Sequence, residues 1–228
     1  MRSIRSAVNN TIIFYDLGLK EIHVEELKSV CNLEVRKFDF HAYPDFVSRI
    51  MGGYHFKPII MAEVFSEFEH FWIVDTSIRF FNVTPFLFDF YNNVTSSTFE
   101  TVVLRRPTGH SIFAATHPSM YEYLPIDSAL AKELEMLEYP IFIARSEVAR
   151  EAIKWNALCA LTKECMAPSG AVLSCSFGDD RFNAWAKCHR YDQSSINIVL
   201  STLLERDGWK RRDRNNDNSM RSFTAVKR

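Results

Sequence analysis

The apolar and polar positions at the start of the chain alternate between strand and helix spacing. Residues 11–15 form a short β-rich run, apolar residues from Glu21 to Val30 follow near helical spacing, and residues 33–40 alternate again. Strand, helix and strand in so short a span predict a βαβ unit. Such a unit requires parallel pairing and a right-handed crossover.

The stretch that organises the rest of the chain is residues 70–81. Its apolar run, Phe71 to Val74, predicts a central parallel strand that is buried on both faces. Asp75, Thr76 and Ser77 then fall at the carboxyl end of that strand, where open α/β sheets bind their ligands. The alternative is that Asp75 only ends the strand and caps the following turn.

Further elements follow from the same patterns. Lys57-Pro58 opens a helix, because proline is favoured in a first turn. Ser146 is a predicted N-cap of a long helix with Val148, Ala152, Trp155 and Cys159 on one face. The remaining predictions are an irregular stretch at 82–98, a hairpin with strands at 101–104 and 111–115, helices at 116–123 and 129–137, a strand at 140–144 and a helix from about 192.

These elements predict an α/β fold with a Rossmann-like, mostly parallel sheet flanked by helices and a small antiparallel hairpin. Residues 1–208 are predicted to form one domain, and 209–228 a disordered polar tail. With 47% hydrophobic and 24% charged residues the composition is that of a globular protein. The net charge of -1 gives no basic field for nucleic acid. No apolar run is long enough to span a membrane, and the first residues lack the apolar core of a signal peptide.

The cysteines leave the redox compartment open. Four of the five lie at positions 159, 165, 175 and 188, and none forms a CxxC pair, which disfavours a zinc site. An oxidising compartment would allow two bridges in this C-terminal cluster with Cys31 left over, whereas in a reducing one all five would be thiols. N-glycosylation sequons at Asn9, Asn82 and Asn93 favour a lumenal glycoprotein.

Several common catalytic motifs are missing, namely GxGxxG, Walker A, GxSxG and HExxH. The polar groups that remain are Asp75 with Ser77, Lys57 at a helix start, and a C-terminal group of His189, Asp192 and Gln193. Brought together, they resemble a site for a metal-bound diphosphate, with a carboxylate and an imidazole as ligands of Mn²⁺ or Mg²⁺.

Each of these groups also has a structural interpretation. Lys57 can be a solvated lysine, and His189 an ordinary histidine with satisfied hydrogen bonds. Asp192 is well placed to N-cap the last helix, with Ser194 and Ser195 in its first turn.

Six blocks of the chain, in order, resemble the signature of an uncharacterised animal family of glycosyltransferase-like proteins. The resemblance spans roughly residues 5–205. The blocks are Tyr15-Asp-Leu-Gly-Leu19, Phe38-Asp-Phe40 with Tyr43-Pro44, Phe56-Lys-Pro58, Trp72-Ile-Val-Asp-Thr-Ser-Ile-Arg-Phe80, Thr116-His-Pro118 with Met120-Tyr121, and Cys188-His-Arg-Tyr-Asp-Gln-Ser194.

The resemblance implies the GT-A fold of nucleotide-diphospho-sugar transferases, a location in the Golgi or secretory-pathway lumen, and a glycan or protein acceptor. It implies that Asp75 and Ser77 take the first and last positions of the DxD motif, with His189 as a metal or phosphate ligand. Lys57, Ser77 and Arg79 would bind the donor, for which the resemblance suggests a UDP-sugar. Asp192 and Gln193 would face the donor sugar or the acceptor, and Asp192 would orient or deprotonate the acceptor hydroxyl while Mn²⁺ or Mg²⁺ acts as a Lewis acid.

Two departures from the family pattern matter. The Asp-Thr-Ser at 75–77 lacks the second carboxylate of DxD, so weaker metal binding is expected. In the family another strand precedes the one at 11–15, so the chain is expected to be truncated at its N-terminus. The hypotheses are therefore an active transferase, a non-catalytic member acting as a binding or structural protein, and a structural lumenal protein held by disulfides.

Overall fold

A computed structural model describes residues 10–80, 102–203 and 223–225 of the chain. Its first elements are strand β1 (Ile12–Asp16), helix α1 (Glu21–Lys28) and strand β2 (Leu33–Lys37). β1 and β2 pair in parallel, with Ile12 opposite Leu33 and Asp16 opposite Lys37. The predicted βαβ unit is therefore confirmed.

The strand that follows helix α3 belongs to a separate antiparallel sheet. Helix α2 (Phe46–Arg49) and helix α3 (Phe56–Glu67) lead to strand β3 (His70–Ile73) and strand β4 (Ile78–Phe80). β3 pairs antiparallel with a later strand, β6 (Glu135–Ala144), and within the described residues it has no other strand neighbour. The prediction of a central parallel strand is wrong, because a short apolar run indicates burial but not the partner or its direction.

The predicted hairpin is also replaced by a longer element. Strand β5 (Val102–Ser111) runs along β6 as one antiparallel strand, giving the sheet order β3-β6-β5. Its register shifts between Leu104 and Arg106 and again between Pro107 and Ser111. Pro107 and Gly109 thus lie at irregular positions inside a strand and not in a tight turn. The φ of Gly109 is 73°. Taken with β1 and β2, the described part of the chain is mixed α/β and is not mostly parallel.

Three helices cover the core beside the antiparallel sheet. They are α3, α5 (Glu147–Ala160) and α7 (Asp192–Leu203), and they pack on one another through α5. Two shorter helices, α4 (Ser128–Glu133) and α6 (Lys163–Met166), lie between them in the chain, with 3₁₀ turns at Phe40–Ala42, Met51–Gly53 and Pro118–Glu122. The helix predicted at 129–137 ends at Glu133, and β6 begins two residues later.

Helix α5 begins as its sequence predicts, but its buried face is shifted. The Ser146 hydroxyl accepts a hydrogen bond from the Ala149 N–H at 3.0 Å, which confirms the N-cap. Of the predicted face, Ala152 and Cys159 are buried, whereas Val148 is 36% and Trp155 44% exposed. The core contacts of α5 come from the neighbouring stripe, which includes Ala149, Ile153 and Asn156.

Two disulfides join the C-terminal cysteines. Cys159 bonds to Cys165 and Cys175 to Cys188, while Cys31 is unpaired and exposed. The expectation of two C-terminal bridges is confirmed, and such bridges are typical of proteins from oxidising compartments. None of the helices in the described part of the chain has both the length and the apolar character to cross a membrane.

In the tail that was predicted to be disordered, Phe223–Ala225 forms strand β7, which pairs antiparallel with β4. The other residues of that tail lie outside the described residues. The same holds for the stretch at 82–98 and for the sequons at Asn9, Asn82 and Asn93.

Candidate active site

A largely buried lysine, whose side chain is 17% exposed, bridges two carboxylates that come from distant parts of the chain. Lys57 lies in the first turn of α3, Asp75 in the turn after β3, and Asp192 at the start of α7. The Lys57 Nζ is 2.8 Å from Asp75 Oδ1 and 3.3 Å from Asp192 Oδ2. The structure therefore brings together three of the residues that the sequence singled out.

Aromatic rings enclose the same ammonium group. The Lys57 Nζ lies 4.6 Å from the ring centroid of Tyr139 in β6 and 5.0 Å from that of Tyr54. These distances allow cation–π attraction. The side chain of Asp192 is 6% exposed and that of Asp75 is 38% exposed. The cluster is thus sealed on the side of Asp192 and open to solvent on the side of Asp75.

Burial and charge act against each other in this cluster. Burial alone would lower the pKa of Lys57, but the carboxylates of Asp192 and Asp75 outweigh it and raise that pKa above its ordinary value. Burial raises the pKa of Asp192, which the Lys57 ammonium opposes only in part. Burial, and next the charge of Asp192, raise the pKa of Tyr139, although its hydroxyl does not reach hydrogen-bond geometry with any described group. The lysine is firmly protonated here.

The arrangement does not fit a divalent metal ion at Asp75 and His189. Mn²⁺ or Mg²⁺ would need carboxylate oxygens at about 2.0–2.2 Å. The Lys57 ammonium already lies between the carboxylates of Asp75 and Asp192. His189 is buried, its Nδ1 accepts from the His117 N–H at 3.1 Å, and its Nε2 is 3.1 Å from the Met166 carbonyl. Within the described ranges, no group of three or more His, Cys, Asp or Glu side chains forms a metal site.

Two further predicted site residues, Gln193 and Arg79, have partners in the fold. The Gln193 side-chain amide donates to the Leu137 carbonyl at 3.2 Å and so ties α7 to β6. Arg79 Nη1 donates to the carbonyls of Thr76 and Ile78, beside its own turn. Ser77 is half-buried in that turn, next to the open side of the lysine cluster.

An open polar cleft of about 510 Å³ lies next to the lysine cluster, and sequence reasoning missed it. It is formed between β5, β6 and the segment closed by the Cys175–Cys188 disulfide. Its polar and aromatic lining is Thr108, His110, Glu138, Phe177, Arg181 and Arg190.

Glu138 lies between this cleft and the lysine cluster, because its side chain lines the cleft and is close enough to Asp75 to feel the charge of that carboxylate. Its carboxylate is 30% exposed and pairs with Arg106 Nη2 at 3.1 Å. Burial raises the pKa of Glu138, the charges of Arg106 and Arg190 oppose the rise, and the nearby charge of Asp75 adds to it. A carboxylate with a raised pKa that faces an open cleft is suited to accept a proton.

Comparison with known proteins identifies a relationship for the N-terminal part alone. Residues 1–62 match the model of a family described as protein of unknown function (DUF1647). No curated protein and no solved structure matches the chain. The matched residues include Lys57, while Asp75, Glu138 and Asp192 lie beyond them.

One sequence signal could have indicated the cleft. Glu138 is a lone carboxylate within the apolar run Met136-Leu-Glu-Tyr-Pro-Ile141, and a charge inside a buried strand requires a partner or a function. The predicted helix at 129–137 and the predicted strand at 140–144 divide this run, so the sequence prediction does not recognise Glu138 as a charge inside a strand. For Arg181 and Arg190 no comparable pattern exists, because they lie in irregular chain and are positioned by hydrogen bonds to β5 and the residues after it.

The buried His189 predicts a loss of stability in acid. Its pKa is lowered from the ordinary 6.5 to about 4, chiefly by burial. Below pH 6.5 the unfolded chain therefore binds a proton that the folded chain refuses, and the stability contributed by His189 disappears as the pH falls towards 4. Between pH 7 and pH 5 this should cost about 2 kcal/mol of unfolding free energy.

Urea unfolding of the wild type and His189→Gln at both pH values measures this term. The variant should start less stable at pH 7 and should lose about 2 kcal/mol less than the wild type on acidification. His23→Gln, which alters an exposed histidine, is the control, and its pH dependence should match that of the wild type. Equal acid losses in wild type and His189→Gln would contradict the assignment.

Proposed function

We propose that the chain is a glycosyltransferase-like protein of the GT-A type, which transfers a sugar from a nucleotide-diphosphate donor to an acceptor hydroxyl. One observation carries the proposal. Three blocks of the family resemblance, at 56–58, 72–80 and 188–194, supply Lys57, Asp75 and Asp192 to a single partly buried cluster. Blocks with no local reason to meet are thus held together beside an open polar cleft.

The fold and the cysteines support the same proposal at a coarser level. The parallel unit β1–α1–β2 is the kind of unit from which nucleotide-binding α/β sheets are built. Asp75 and Ser77 follow β3 in a turn, as a DxD-like segment requires. The two disulfides are in keeping with a protein of the secretory-pathway lumen, where such transferases and their glycan or protein acceptors meet.

The proposed reaction needs a base that can reach the acceptor. The acceptor oxygen forms a bond to the anomeric carbon, and the bond from that carbon to the diphosphate oxygen breaks. The electron pair leaves with the nucleoside diphosphate. The proton of the acceptor hydroxyl passes to a carboxylate, and Glu138 is better exposed for this than Asp192, which is sealed behind Lys57.

The lysine cluster has a supporting role in this proposal. With two carboxylates on one ammonium, Lys57 has no positive charge to spare for a diphosphate. Its task is to fix the turn after β3 and the start of α7 against β6, which forms one wall of the cleft. No step of the reaction is assigned to a divalent metal, because the residues do not fit one.

A specific observation favours the non-catalytic alternative. Lys57, Asp75, Asp192, Gln193 and His189 each have a partner inside the fold, as a purely structural network would. In that case the protein would be a binding or structural member of the same fold.

A turnover assay separates the two functions. The purified chain is incubated with a panel of uridine and guanosine diphosphate sugars, and the released nucleoside diphosphate is measured with water or simple sugars as acceptors. Release that exceeds the enzyme concentration supports the transferase. Saturable binding of a nucleotide sugar by calorimetry, with no release from any donor, supports the non-catalytic alternative. If the chain neither binds a nucleotide sugar nor releases nucleoside diphosphate from one, the proposed function is overturned.

A further inference from the structure

Two arginines in the polar cleft lack anionic partners of their own. Within the described residues, the guanidinium groups of Arg181 and Arg190 make no hydrogen bond or ion pair. The third arginine of this region, Arg106, is neutralised by Glu138. The cleft therefore carries an excess of positive charge, whereas the charge of the lysine cluster is balanced by carboxylates.

Both arginine charges act on the same place. Burial comes first in lowering the pKa of His110, the charges of Arg190 and Arg181 lower it further, and a hydrogen bond to the Ser111 carbonyl opposes them. The two arginines thus come from different segments and line the same cleft as this buried imidazole. Arg190 also acts on Glu138, so the positive charge extends to the proposed base.

The backbone at both arginines and the side chain of Arg181 are positioned by contacts within the fold. The Arg181 guanidinium lies 4.4 Å from the ring centroid of Phe177, and that ring stacks on His110 at 4.7 Å. The Arg181 carbonyl accepts from the Ser111 N–H at 3.1 Å, and the Arg190 N–H donates to the Ala115 carbonyl at 3.0 Å. The Cys175–Cys188 disulfide closes the segment that carries Arg181. Such pre-organisation reduces the entropy lost on binding.

We propose that Arg181 and Arg190 form a binding site for a diphosphate group in this cleft, and that the site works without a divalent cation. Guanidinium forks match phosphate oxygens in a bidentate manner. A cleft of about 510 Å³ is large enough for a diphosphate with an attached sugar or nucleoside. A second groove, of about 400 Å³ beside Tyr191, is lined mainly by apolar groups and offers a phosphate no comparable partners.

The inference rests on the proposed function only in the identity of the diphosphate, which would be that of the donor. It changes where that group binds, from Lys57 and Asp75 to the arginines of the neighbouring cleft. Glu138, the carboxylate that lines this cleft, is held by Arg106.

Calorimetric titration with inorganic pyrophosphate and with UDP, each in EDTA and in Mn²⁺, tests this site. The wild type should bind both probes in EDTA, with an affinity that falls as salt is added. Arg190→Ala and Arg181→Ala should each weaken binding roughly 10- to 100-fold, and Arg190→Lys should recover only part of the loss. Arg150→Ala, which removes an exposed guanidinium from α5, is the matched control and should bind as the wild type does.

Thermal unfolding of every variant shows whether a loss of binding is a loss of fold. Arg181 is exposed, so its alanine variant should unfold at the wild-type temperature. If Arg190→Ala proves unstable, Arg181→Ala still tests the site. Binding of UDP that needs Mn²⁺, or that survives both alanine substitutions, would overturn the site while leaving the proposed function intact. Arginine-dependent binding of pyrophosphate with no affinity for any nucleotide sugar would support the site and contradict the proposed function. No binding of either probe would overturn the site.

Discussion

Replacing Lys57 with methionine is expected to lower the free energy of unfolding by about 3–5 kcal/mol, because Asp192 would remain buried without its counter-charge. The Asp192 side chain is 6% exposed, so water cannot replace the ammonium that lies 3.3 Å away. Methionine keeps most of the length and the apolar character of the lysine stem. Urea unfolding at pH 7, followed by circular dichroism, measures the change.

A second substitution separates charge from packing. Asp192→Asn in the Lys57→Met background removes the stranded charge and should recover a substantial part of the loss, since Asp75 can still be solvated. Lys163→Met, at a lysine whose side chain is 54% exposed, is the control and should change stability little. A Lys57→Met variant within 1 kcal/mol of the wild type would show that the cluster is not an obligatory ion pair.

Local signals in the sequence were enough to predict several elements. β1, α1 and β2 each follow from the spacing of nearby apolar residues, and the parallel pairing of the strands follows from the helical crossover between them. The start of α3 beside Lys57 and the Ser146 cap are likewise decided by residues within one helical turn. These features depend on contacts close in sequence, so they can be read from it.

The errors concern contacts between residues far apart in the chain. β3 was assigned a parallel central position, yet its partner β6 comes from residues 135–144 and runs the other way. β5 contains a proline and a glycine that favour a turn, but the length of pairing with β6 outweighs them. Neither outcome is encoded within the segment itself.

The candidate site shows the same division. The sequence identified Lys57, Asp75 and Asp192 as chemically important, and the structure brings them together. The sequence does not show that these carboxylates neutralise the lysine, because that depends on where three distant segments meet. The cleft arginines were missed for the same reason.

Replacing Glu138 with glutamine is expected to lower the turnover number for sugar transfer by about 10²- to 10⁴-fold, the range for removal of a general base. Glutamine is isosteric and can still accept a hydrogen bond from Arg106, so the unfolding free energy should change by about 1 kcal/mol or less. Release of nucleoside diphosphate from the donor found in the panel measures the rate. The KM for the donor should change little, because Glu138 is proposed to act on the acceptor.

The pH profile distinguishes a base from a residue that only shapes the cleft. A base must be ionised, and burial raises the pKa of Glu138 above its ordinary 4.5. The wild-type rate should therefore fall on the acid side as the pH drops through that raised value, and the residual rate of Glu138→Gln should lack this limb. Glu147→Gln, at an exposed carboxylate on α5, should keep both the rate and the profile of the wild type. Lys57→Met is expected to act on stability and Glu138→Gln on turnover. A Glu138→Gln variant that retains full activity would show that another residue acts as the base. A Glu138→Gln variant that is stable but inactive would show that Glu138 acts in the reaction and is not needed for the fold.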